Sequence, residues 1–308
     1  MILCCGEALI DMIPRPTVEG VDGFVPHSGG AIFNTAIALG RLGVQVGLLS
    51  GVSNDLFGQQ LATDLAASNV ETGLLIRSSQ PTTLAFVRLT NGHAQYTFYD
   101  ENSAGRMIQT ADMPPLGDVV QALYFGGISL CSEPGADAYA DLCLREAPSR
   151  LVMLDPNIRP GFISDEQGYR ARLSKMIAVA DIVKVSDEDL AWIFPELGQF
   201  DAQVDALRAM GPTLVIITKG ADGSSAYRPS GPALDAASLR VDVVDTVGAG
   251  DTFNAGVLAH LAETGALSKA SVQALSDAQI KDMLGHGARV AAVTVSRAGA
   301  NPPWAREL

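Results

Sequence analysis

The sequence contains few cysteines, few basic residues and no long apolar run. Its four cysteines form no Cys-x-x-Cys pair and no Cys/His cluster with the spacing of a zinc site, so reduced, buried thiols are expected. The 21 basic side chains are outnumbered by 34 acidic ones, and the net charge of −13 argues against nucleic acid or an anionic membrane surface as the main partner. No apolar stretch approaches membrane-spanning length, and Met1 leads into Ile2 and Leu3 without a basic leader. A cytoplasmic protein is therefore expected.

Apolar residues are abundant, at 47% of the 308 residues, which is enough for a large core. Short apolar runs alternate along the chain with helical patterns. The runs predict strands at residues 45–52, 122–128, 151–155, 182–186 and 214–218. The patterns between them predict helices at residues 33–42, 58–67, 136–146, 169–180 and 202–210. This alternation predicts an α/β fold whose mostly parallel sheet is covered by helices on both faces.

Two stretches break the alternation. Residues 11–29 are interrupted by prolines and glycines, and residues 82–99 alternate apolar and polar side chains around Asn91-Gly92, a strong hairpin signal. Together they predict a small antiparallel sheet that projects from the α/β core. Because the sequence has no linker or repeat, we expect a single domain over residues 1–308, with this appendage formed by about 11–30 and 80–105.

The most informative run, DTVGAGDTF at residues 245–253, joins a glycine turn to the start of a helix. The valines within residues 241–244 predict a buried strand end before it, and apolar residues recur at helical spacing after it. At a helix N-terminus, free N–H groups and the positive end of the dipole favour an anion, and Gly248 and Gly250 let the backbone approach closely. The run therefore predicts a phosphate site.

Asp251 falls in the first turn of that helix. There its carboxylate could accept a proton from an attacking hydroxyl. The alternative is that Asp251 only caps the helix, which is a common role for Asp at such a position. Short glycine motifs are weak signals, so this run alone leaves both interpretations open.

Further polar groups follow other strands, at the sheet edge where α/β proteins bind ligands. Asp11 closes the first strand, and Gly29 and Gly30 open a helix that carries Asn34. Asp11 and Asn34 could hydrogen-bond a polyhydroxylated ligand that lies against the glycine backbone. The glycines could equally be only a flexible helix entry, and Asn34 a first-turn polar residue.

The strand that ends at Asp155 runs into a proline-flanked turn with Asn157 and Arg159. Arg159 could neutralise phosphate charge or clamp a substrate, and a surface ion pair is the competing explanation. The next strand ends with Lys184-Val185-Ser186, and Lys184 could meet a nucleotide phosphate. The turn at residues 218–223 could lie along a nucleotide or be a plain hairpin.

An acidic first turn follows Ser186 in the order Asp187, Glu188, Asp189. These carboxylates could hold magnesium through water. An acidic first turn is also ordinary helix chemistry, because it complements the helix dipole.

In this order, the motifs resemble those of the PfkB (ribokinase-like) family of sugar kinases, and the resemblance runs from end to end. GGAIFN at residues 29–34 is similar to the family's N-terminal motif, and DTVGAGDTF to its C-terminal one. Between them, DPNIR, KVS and TKGADG are typical of the fructokinase and 2-keto-3-deoxygluconate kinase branch. The resemblance implies a ribokinase-like three-layer core with a mostly parallel sheet flanked by helices, and a small β-sheet lid. It also implies an ATP-dependent phosphotransferase.

The resemblance implies roles for individual residues. Asp251 becomes the base, and Gly248, Ala249 and Gly250 become an anion hole for the moving phosphoryl group, assisted by Arg159. The implied sugar contacts are Asp11, Gly29, Gly30, Asn34, Phe98, Asn157, Arg159 and Asp251. The implied nucleotide contacts are Lys184, Ser186, Thr218, Lys219, Gly220, Asp222, Gly223, Gly248 and Gly250. A homodimer formed through the lid is a further implication.

The resemblance also implies two ions. Magnesium would be held through water by Asp189, although the family often has Glu there, which leaves Glu188 as a substitute. Potassium would be held by Asp245 and by backbone carbonyls around Val247, Thr294, Arg297 and Gly299.

The lid departs from the family pattern, since Asp100 stands where relatives of acid-sugar specificity commonly have Arg. A carboxylate there would repel an acid sugar, so a neutral sugar is favoured. Fructose is the first choice, 2-keto-3-deoxygluconate the second and a nucleoside such as an aminoimidazole riboside the third. Arg88 or Arg106 could still supply a carboxylate partner.

The sequence also bears on two other classes of function. A sugar or nucleotide sensor without catalysis would be expected to lose the base, whereas Asp251 is intact. A dinucleotide-dependent oxidoreductase would have Gly-x-Gly-x-x-Gly after its first strand, whereas this chain has Gly6-Glu7-Ala8-Leu9. A sugar kinase is therefore the favoured function.

Overall fold

The computed structural model describes residues 1–90 and 93–308. The strands are β1 (Ile2–Cys5), β2 (Leu9–Pro16), β3 (Asp22–Gly29), β4 (Val46–Leu49), β5 (Gly51–Ser53), β6 (Val70–Glu71), β7 (Ile76–Ser78), β8 (Leu84–Thr90), β9 (His93–Tyr99), β10 (Ala122–Gly126), β11 (Leu151–Asp155), β12 (Ile182–Ser186), β13 (Leu214–Thr218), β14 (Ser224–Tyr227) and β15 (Leu234–Ala236). The α-helices are α1 (Ala31–Arg41), α2 (Leu56–Ala67), α3 (Gly135–Glu146), α4 (Glu166–Val179), α5 (Asp187–Ile193), α6 (Phe200–Ala209), α7 (Ala249–Glu263), α8 (Lys269–Gln273) and α9 (Asp277–Val295).

The main sheet has the strand order β15-β14-β13-β12-β11-β10-β1-β4-β6 within the described ranges. The strands from β13 to β6 run parallel, and β14 and β15 add an antiparallel edge. Alternate residues of β1 enter two cores: Ile2 packs with α1, α7 and α9, and Leu3 packs with α3, α4 and α6. This arrangement confirms the predicted α/β fold with helices on both faces of a mostly parallel sheet.

The predicted elements match the observed ones with four main differences. The strand predicted at residues 122–128 ends at Gly126. Helices begin up to three residues earlier than predicted because caps precede the apolar pattern; Asp165, for example, accepts the Gly168 N–H at 3.0 Å and so starts α4 at Glu166. Residues 45–52 form two strands, since β5 leaves the main sheet and pairs with β7. The strand end predicted within residues 241–244 is wrong: this segment is irregular, and Val243 is 62% exposed.

A second sheet projects from the core, with the order β3-β2-β8-β9. The pairs β2/β3 and β8/β9 are antiparallel, but β2 and β8 run parallel, so the sheet is mixed and not wholly antiparallel as predicted. The predicted Asn91-Gly92 turn lies outside the described residues. Phe86 stacks edge-on against Phe24 and Tyr99, with ring centres 5.0 and 5.5 Å apart, and these rings cover one face of the sheet.

In the part of the chain that the structure describes, no helix combines the length and the apolar character needed to cross a membrane.

Candidate active site

The glycine turn at the start of α7 presents Asp251 in a buried position. Gly248 is the N-cap, with φ of 78°, and a Cβ at this position would stand 2.8 Å from Cβ of Ala300. A side chain is therefore excluded both by conformation and by space. Asp251 is the third residue of α7 and not its N-cap, although an acidic side chain in the first turn still complements the helix dipole. Its carboxylate is 7% exposed and accepts a hydrogen bond from Nδ2 of Asn34 at 2.9 Å.

Burial raises the pKa of Asp251 to about 7. The hydrogen bond from Asn34 opposes this shift, nearby Asp155 and Glu7 add to it, and Lys184 opposes it again. A carboxylate with this pKa can accept a proton near neutral pH, which is the range in which a general base is most effective. The geometry and the acidity of Asp251 both suit a base.

The entry to α1 brings the predicted N-terminal residues to the same place. Gly30 has a φ of 105°, and a Cβ there would stand 3.0 Å from the Glu7 backbone oxygen, while a Cβ on Gly29 would overlap the carboxylate of Asp11. Gly30 is thus required by its backbone conformation and by the close approach of Glu7, and it is more than a flexible entry. Burial raises the pKa of Asp11 to about 6. Asn34 joins this group to the base through its hydrogen bond with Asp251.

Glu7 is a buried residue at the site, and the sequence predicted no role for it. Its carboxylate accepts the Ala31 N–H at 3.0 Å and the Ser129 N–H at 3.2 Å, so it fixes the start of α1 against the segment after β10. A Cβ on Gly127, where φ is 67°, would overlap the same carboxylate. The only sequence signal was an acidic residue directly after Gly6 at the end of an apolar strand.

The turn after β11 carries Asn157 and Arg159. Asn157 has a φ of 45°, and Oδ1 of Asp155 accepts its N–H at 3.1 Å. Arg159 donates to the Ile158 carbonyl at 3.0 Å, and within the described ranges it has no ion pair, so the predicted surface ion pair is not found. Phe98 of the small sheet meets Phe162 edge-on at 4.1 Å between ring centres. The small sheet therefore contacts the core beside this turn.

Lys184 and Asp189 lie deeper than the sequence suggested. The Lys184 ammonium is 2.9 Å from Oδ2 of Asp155, and it would lie 3.4 Å from a Cβ on Gly250, so it sits beneath the glycine turn. Asp189 forms a capping box with Ser186, and its other oxygen accepts the Ile158 N–H at 2.9 Å. Burial raises the pKa of Asp189. In the described residues, no group of three or more His, Cys, Asp or Glu side chains is arranged to hold a metal ion.

A cleft of about 820 Å³ opens beside the glycine turn. Its lining includes six residues singled out from the sequence, namely Thr218, Gly220, Asp222, Gly223, Ala249 and Gly250. The lining also includes apolar residues to which the sequence assigned no site role, namely Leu239, Val241, Val243, Ala288, Ala291, Ala292 and Val295. Lys219 turns away, with its ammonium 5.8 Å from the ring centre of Phe200. The antiparallel pairing of β13 and β14 makes the 218–223 turn a hairpin that also borders the cleft.

Asp245 ties the glycine turn to the C-terminal loop. Its carboxylate accepts the Val247 N–H at 3.0 Å and the Gly299 N–H at 2.9 Å. Asp245, Val247 and Gly299, three of the residues predicted to hold a monovalent cation, are thus brought together from two segments of the chain.

Asp100 lies at the foot of the small sheet. Its Oδ1 accepts hydrogen bonds from the hydroxyls of Thr83 and Ser103, each at 2.8 Å. Asp100, Arg106 and Glu7 line a narrow recess, and none of the residues predicted to contact the sugar lines it. The Arg88 side chain lies outside what the structure describes.

Comparison with known proteins gives concordant matches. A model of the pfkB family of carbohydrate kinases matches residues 1–306. A fructokinase of Rhizobium leguminosarum bv. trifolii is 52% identical over 282 residues, which cover 92% of this chain and 86% of that protein. The crystal structure of the Xylella fastidiosa fructokinase with bound ATP is 29% identical and superimposes with a TM-score of 0.86 over 97% of this chain and 93% of that one. The Vibrio cholerae O395 fructokinase structure, which contains fructose, ADP and a calcium ion, is 26% identical with a TM-score of 0.83, covering 97% and 94%.

Proposed function

The chain belongs to the pfkB family of carbohydrate kinases, and we propose that it is a fructokinase that transfers the γ-phosphoryl group of ATP to the primary hydroxyl of fructose. The protein is a phosphotransferase with an alcohol group as acceptor. The observation that carries the proposal is the buried carboxylate of Asp251 at the glycine turn, with Asn34 on one side and the cleft on the other. The relatives that are fructokinases support the choice of sugar.

In the proposed reaction, Asp251 takes the proton of the sugar hydroxyl as the hydroxyl oxygen attacks the γ-phosphorus of ATP, the bond to the β–γ bridging oxygen breaks, and ADP leaves. The N–H groups of Gly248, Ala249 and Gly250 stabilise the charge that develops on the phosphoryl oxygens, and Arg159 adds a positive charge from the opposite turn. Such transfer depends mainly on positioning and electrostatic stabilisation, so a rigid turn at a helix start suits it. The sugar hydroxyls are bound by the N-terminal and β11-turn residues, namely Asp11, Asn34 and Asn157, with Phe98 covering them.

ATP is proposed to occupy the cleft, with its base against the apolar residues of the 241–243 segment and α9. The ATP-bound relative supports ATP as the nucleotide. We propose magnesium as the divalent ion, bound chiefly by phosphate oxygens and water, as this ion prefers. Asp189 contributes through water at most, because both of its oxygens already accept backbone N–H groups, which leaves the exposed Glu188 as the more accessible partner. Potassium is proposed beside Asp245, where it would help fix the glycine turn.

The first test is a coupled assay with ATP and magnesium across neutral and acid sugars. We expect catalytic efficiency for fructose to exceed that for 2-keto-3-deoxygluconate, because Asp100 stands where acid-sugar relatives commonly have Arg, and its carboxylate would repel that of an acid sugar. Asp100→Asn keeps an oxygen that accepts from the Thr83 and Ser103 hydroxyls but removes the negative charge. The catalytic efficiency for fructose divided by that for 2-keto-3-deoxygluconate should therefore fall by about tenfold.

Glu101→Gln is the matched control, since Glu101 is the adjacent exposed carboxylate and should leave the ratio unchanged. A wild-type preference for the acid sugar, or for an aminoimidazole riboside, would identify one of those as the substrate instead. An unchanged ratio in Asp100→Asn would leave fructose as the substrate and refute the role of Asp100.

We propose that the chain is one domain over residues 1–308, in which the small sheet, from about 11–30 and 80–105, closes as a lid over the sugar. The Phe98–Phe162 contact supports a lid that reaches the β11 turn. Closure would exclude water and limit ATP hydrolysis. Amide hydrogen exchange in residues 82–90 should slow when sugar and a nucleotide analogue bind together. An exchange rate that is the same with and without the two ligands would reject lid closure.

A homodimer through the lid is also proposed, together with a cytoplasmic location. Phe24 and Tyr99 are large, exposed side chains on the lid and would be covered by a second copy. A monomeric mass in solution would reject the dimer.

A further inference from the structure

A buried polar network lies beneath the glycine turn. Its centre is Asp155, which closes β11 and is 1% exposed. One oxygen of Asp155, Oδ2, accepts from the Lys184 ammonium at 2.9 Å and from Nδ2 of Asn254 at 2.7 Å. Asn254 also contacts the Tyr124 hydroxyl at 2.8 Å. Lys184 is 4% exposed and Asn254 is fully buried, so the group is shielded from water.

The network contacts both halves of the site. Asn254 lies three residues after Asp251 on α7, and therefore on the same side of the helix. Oδ1 of Asp155 accepts the N–H of Asn157, on the turn that faces the sugar. The Lys184 ammonium is close to the backbone of Gly250, directly before Asp251. Asp155 thus fixes the sugar-binding turn relative to the helix that carries the base.

The buried ion pair between Lys184 and Asp155 is not explained by a contribution to folding stability alone. A buried ion pair loses hydration on both partners, and an apolar pair of similar volume is often as stable or more stable. The pair does have an electrostatic consequence, because an unpaired Asp155 would oppose ionisation of Asp251. Lys184 cancels that charge at a distance where little water screens it.

The remaining groups that face Asp251 do not replace Lys184. Glu7 and Asp155 both disfavour a negative charge on Asp251, and Asn34 favours it through a hydrogen bond. Burial raises the pKa of the Tyr124 phenol well above its ordinary value, so that group stays neutral. Lys184 is the cation that acts on the base among these groups.

We propose that Lys184 is a positioning residue that acts through its ion pair with Asp155 to keep the Asp251 carboxylate in its proton-accepting form, and that it does not bind nucleotide phosphate. The proposal rests on the proposed function, in which Asp251 is the base. It assigns to Lys184 a different role from the phosphate contact expected from the sequence. In this proposal, Asp155 and Asn254 are also positioning residues, because both belong to the hydrogen-bonded network that contains Lys184.

The test is the pH dependence of kcat/KM for the sugar in wild type, Lys184→Met, Lys184→Arg and the double variant Lys184→Met/Asp155→Asn. Wild-type activity should fall as the pH drops through about 7, where Asp251 takes up its proton. In Lys184→Met the fall should occur about one pH unit higher, because the uncompensated Asp155 charge disfavours ionisation of Asp251. Lys184→Arg keeps the charge, and the double variant removes both charges, so both should fall near the wild-type pH.

ATP affinity, measured by calorimetry with a non-hydrolysable analogue, separates this role from phosphate binding. The double variant removes both charges of the ion pair and leaves neither partner unpaired, so it tests the proposal even if Lys184→Met does not fold. We expect it to bind the analogue with the wild-type affinity. Affinity at least tenfold weaker, or a pH dependence that is the same in wild type and folded Lys184→Met, would overturn the proposal. A wild-type protein that phosphorylates none of the sugars would instead refute the proposed function.

Discussion

Replacing Asp251 with Asn should reduce turnover by a factor on the order of 10² to 10⁴, the usual contribution of a positioned general base. The amide keeps the size of the side chain and an oxygen that can accept the hydrogen bond of Asn34, but it cannot take the proton of the sugar hydroxyl. We therefore expect ATP and sugar to bind with nearly unchanged affinity. The measurement is kcat at saturating ATP and fructose, with ligand affinity obtained separately by calorimetry.

Asp282→Asn provides the matched control, because Asp282 is exposed on α9, the helix that packs against α7. The same change in charge and shape is then made outside the site, and turnover should stay at the wild-type level. Near-normal turnover in a folded Asp251→Asn protein would show that another group takes the proton. A loss confined to KM would show that Asp251 binds the sugar and does not act as a base.

The main sheet was predictable because its physical signal is local. Strands such as β11 and β13 are buried on both faces, so each is a short, continuous apolar run bounded by helical patterns. The glycine turn was predictable for the same reason, since Gly248, Gly250 and Asp251 are neighbours in sequence. The contact between Asn34 and Asp251 joins residues 217 positions apart, and only the resemblance to a family brought the two motifs together.

The remaining features depend on contacts that no local pattern encodes. The exposed Val243 borders the cleft, although valine in a short apolar run usually indicates a strand. Helix α9 lines the cleft with small residues such as Ala288 and Ala291, which look like ordinary packing positions. The partners of Glu7 are backbone N–H groups from distant segments. Lys184 meets Asp155 only because β11 and β12 are neighbours in the sheet.

The same Asp251→Asn variant should be more stable than wild type at pH 8, by about 2 to 4 kcal/mol in free energy of unfolding. Burial raises the pKa of Asp251 from its ordinary 3.8 to about 7 in the folded protein. Between pH 3.8 and about pH 7, the folded state holds a proton on Asp251 that the unfolded state has lost. The contribution of the protonated Asp251 to the free energy of unfolding is therefore complete below pH 3.8 and is lost as the pH rises to about 7. The Asn side chain of the variant carries no charge at any pH in this range.

The stability difference between the two proteins should therefore grow from about pH 4 to pH 7 and level off above it. Urea unfolding at pH 5, 6, 7 and 8 measures it, with Asp282→Asn expected to follow wild type throughout. A difference that is equal at pH 5 and pH 8 would mean that Asp251 ionises at its ordinary pKa and is not poised as a base. Near neutral pH, Asp251→Asn should thus be more stable than wild type and turn over more slowly. Both effects have one cause, because the buried carboxylate of Asp251 destabilises the fold when it is ionised and accepts the proton of the sugar hydroxyl in the reaction.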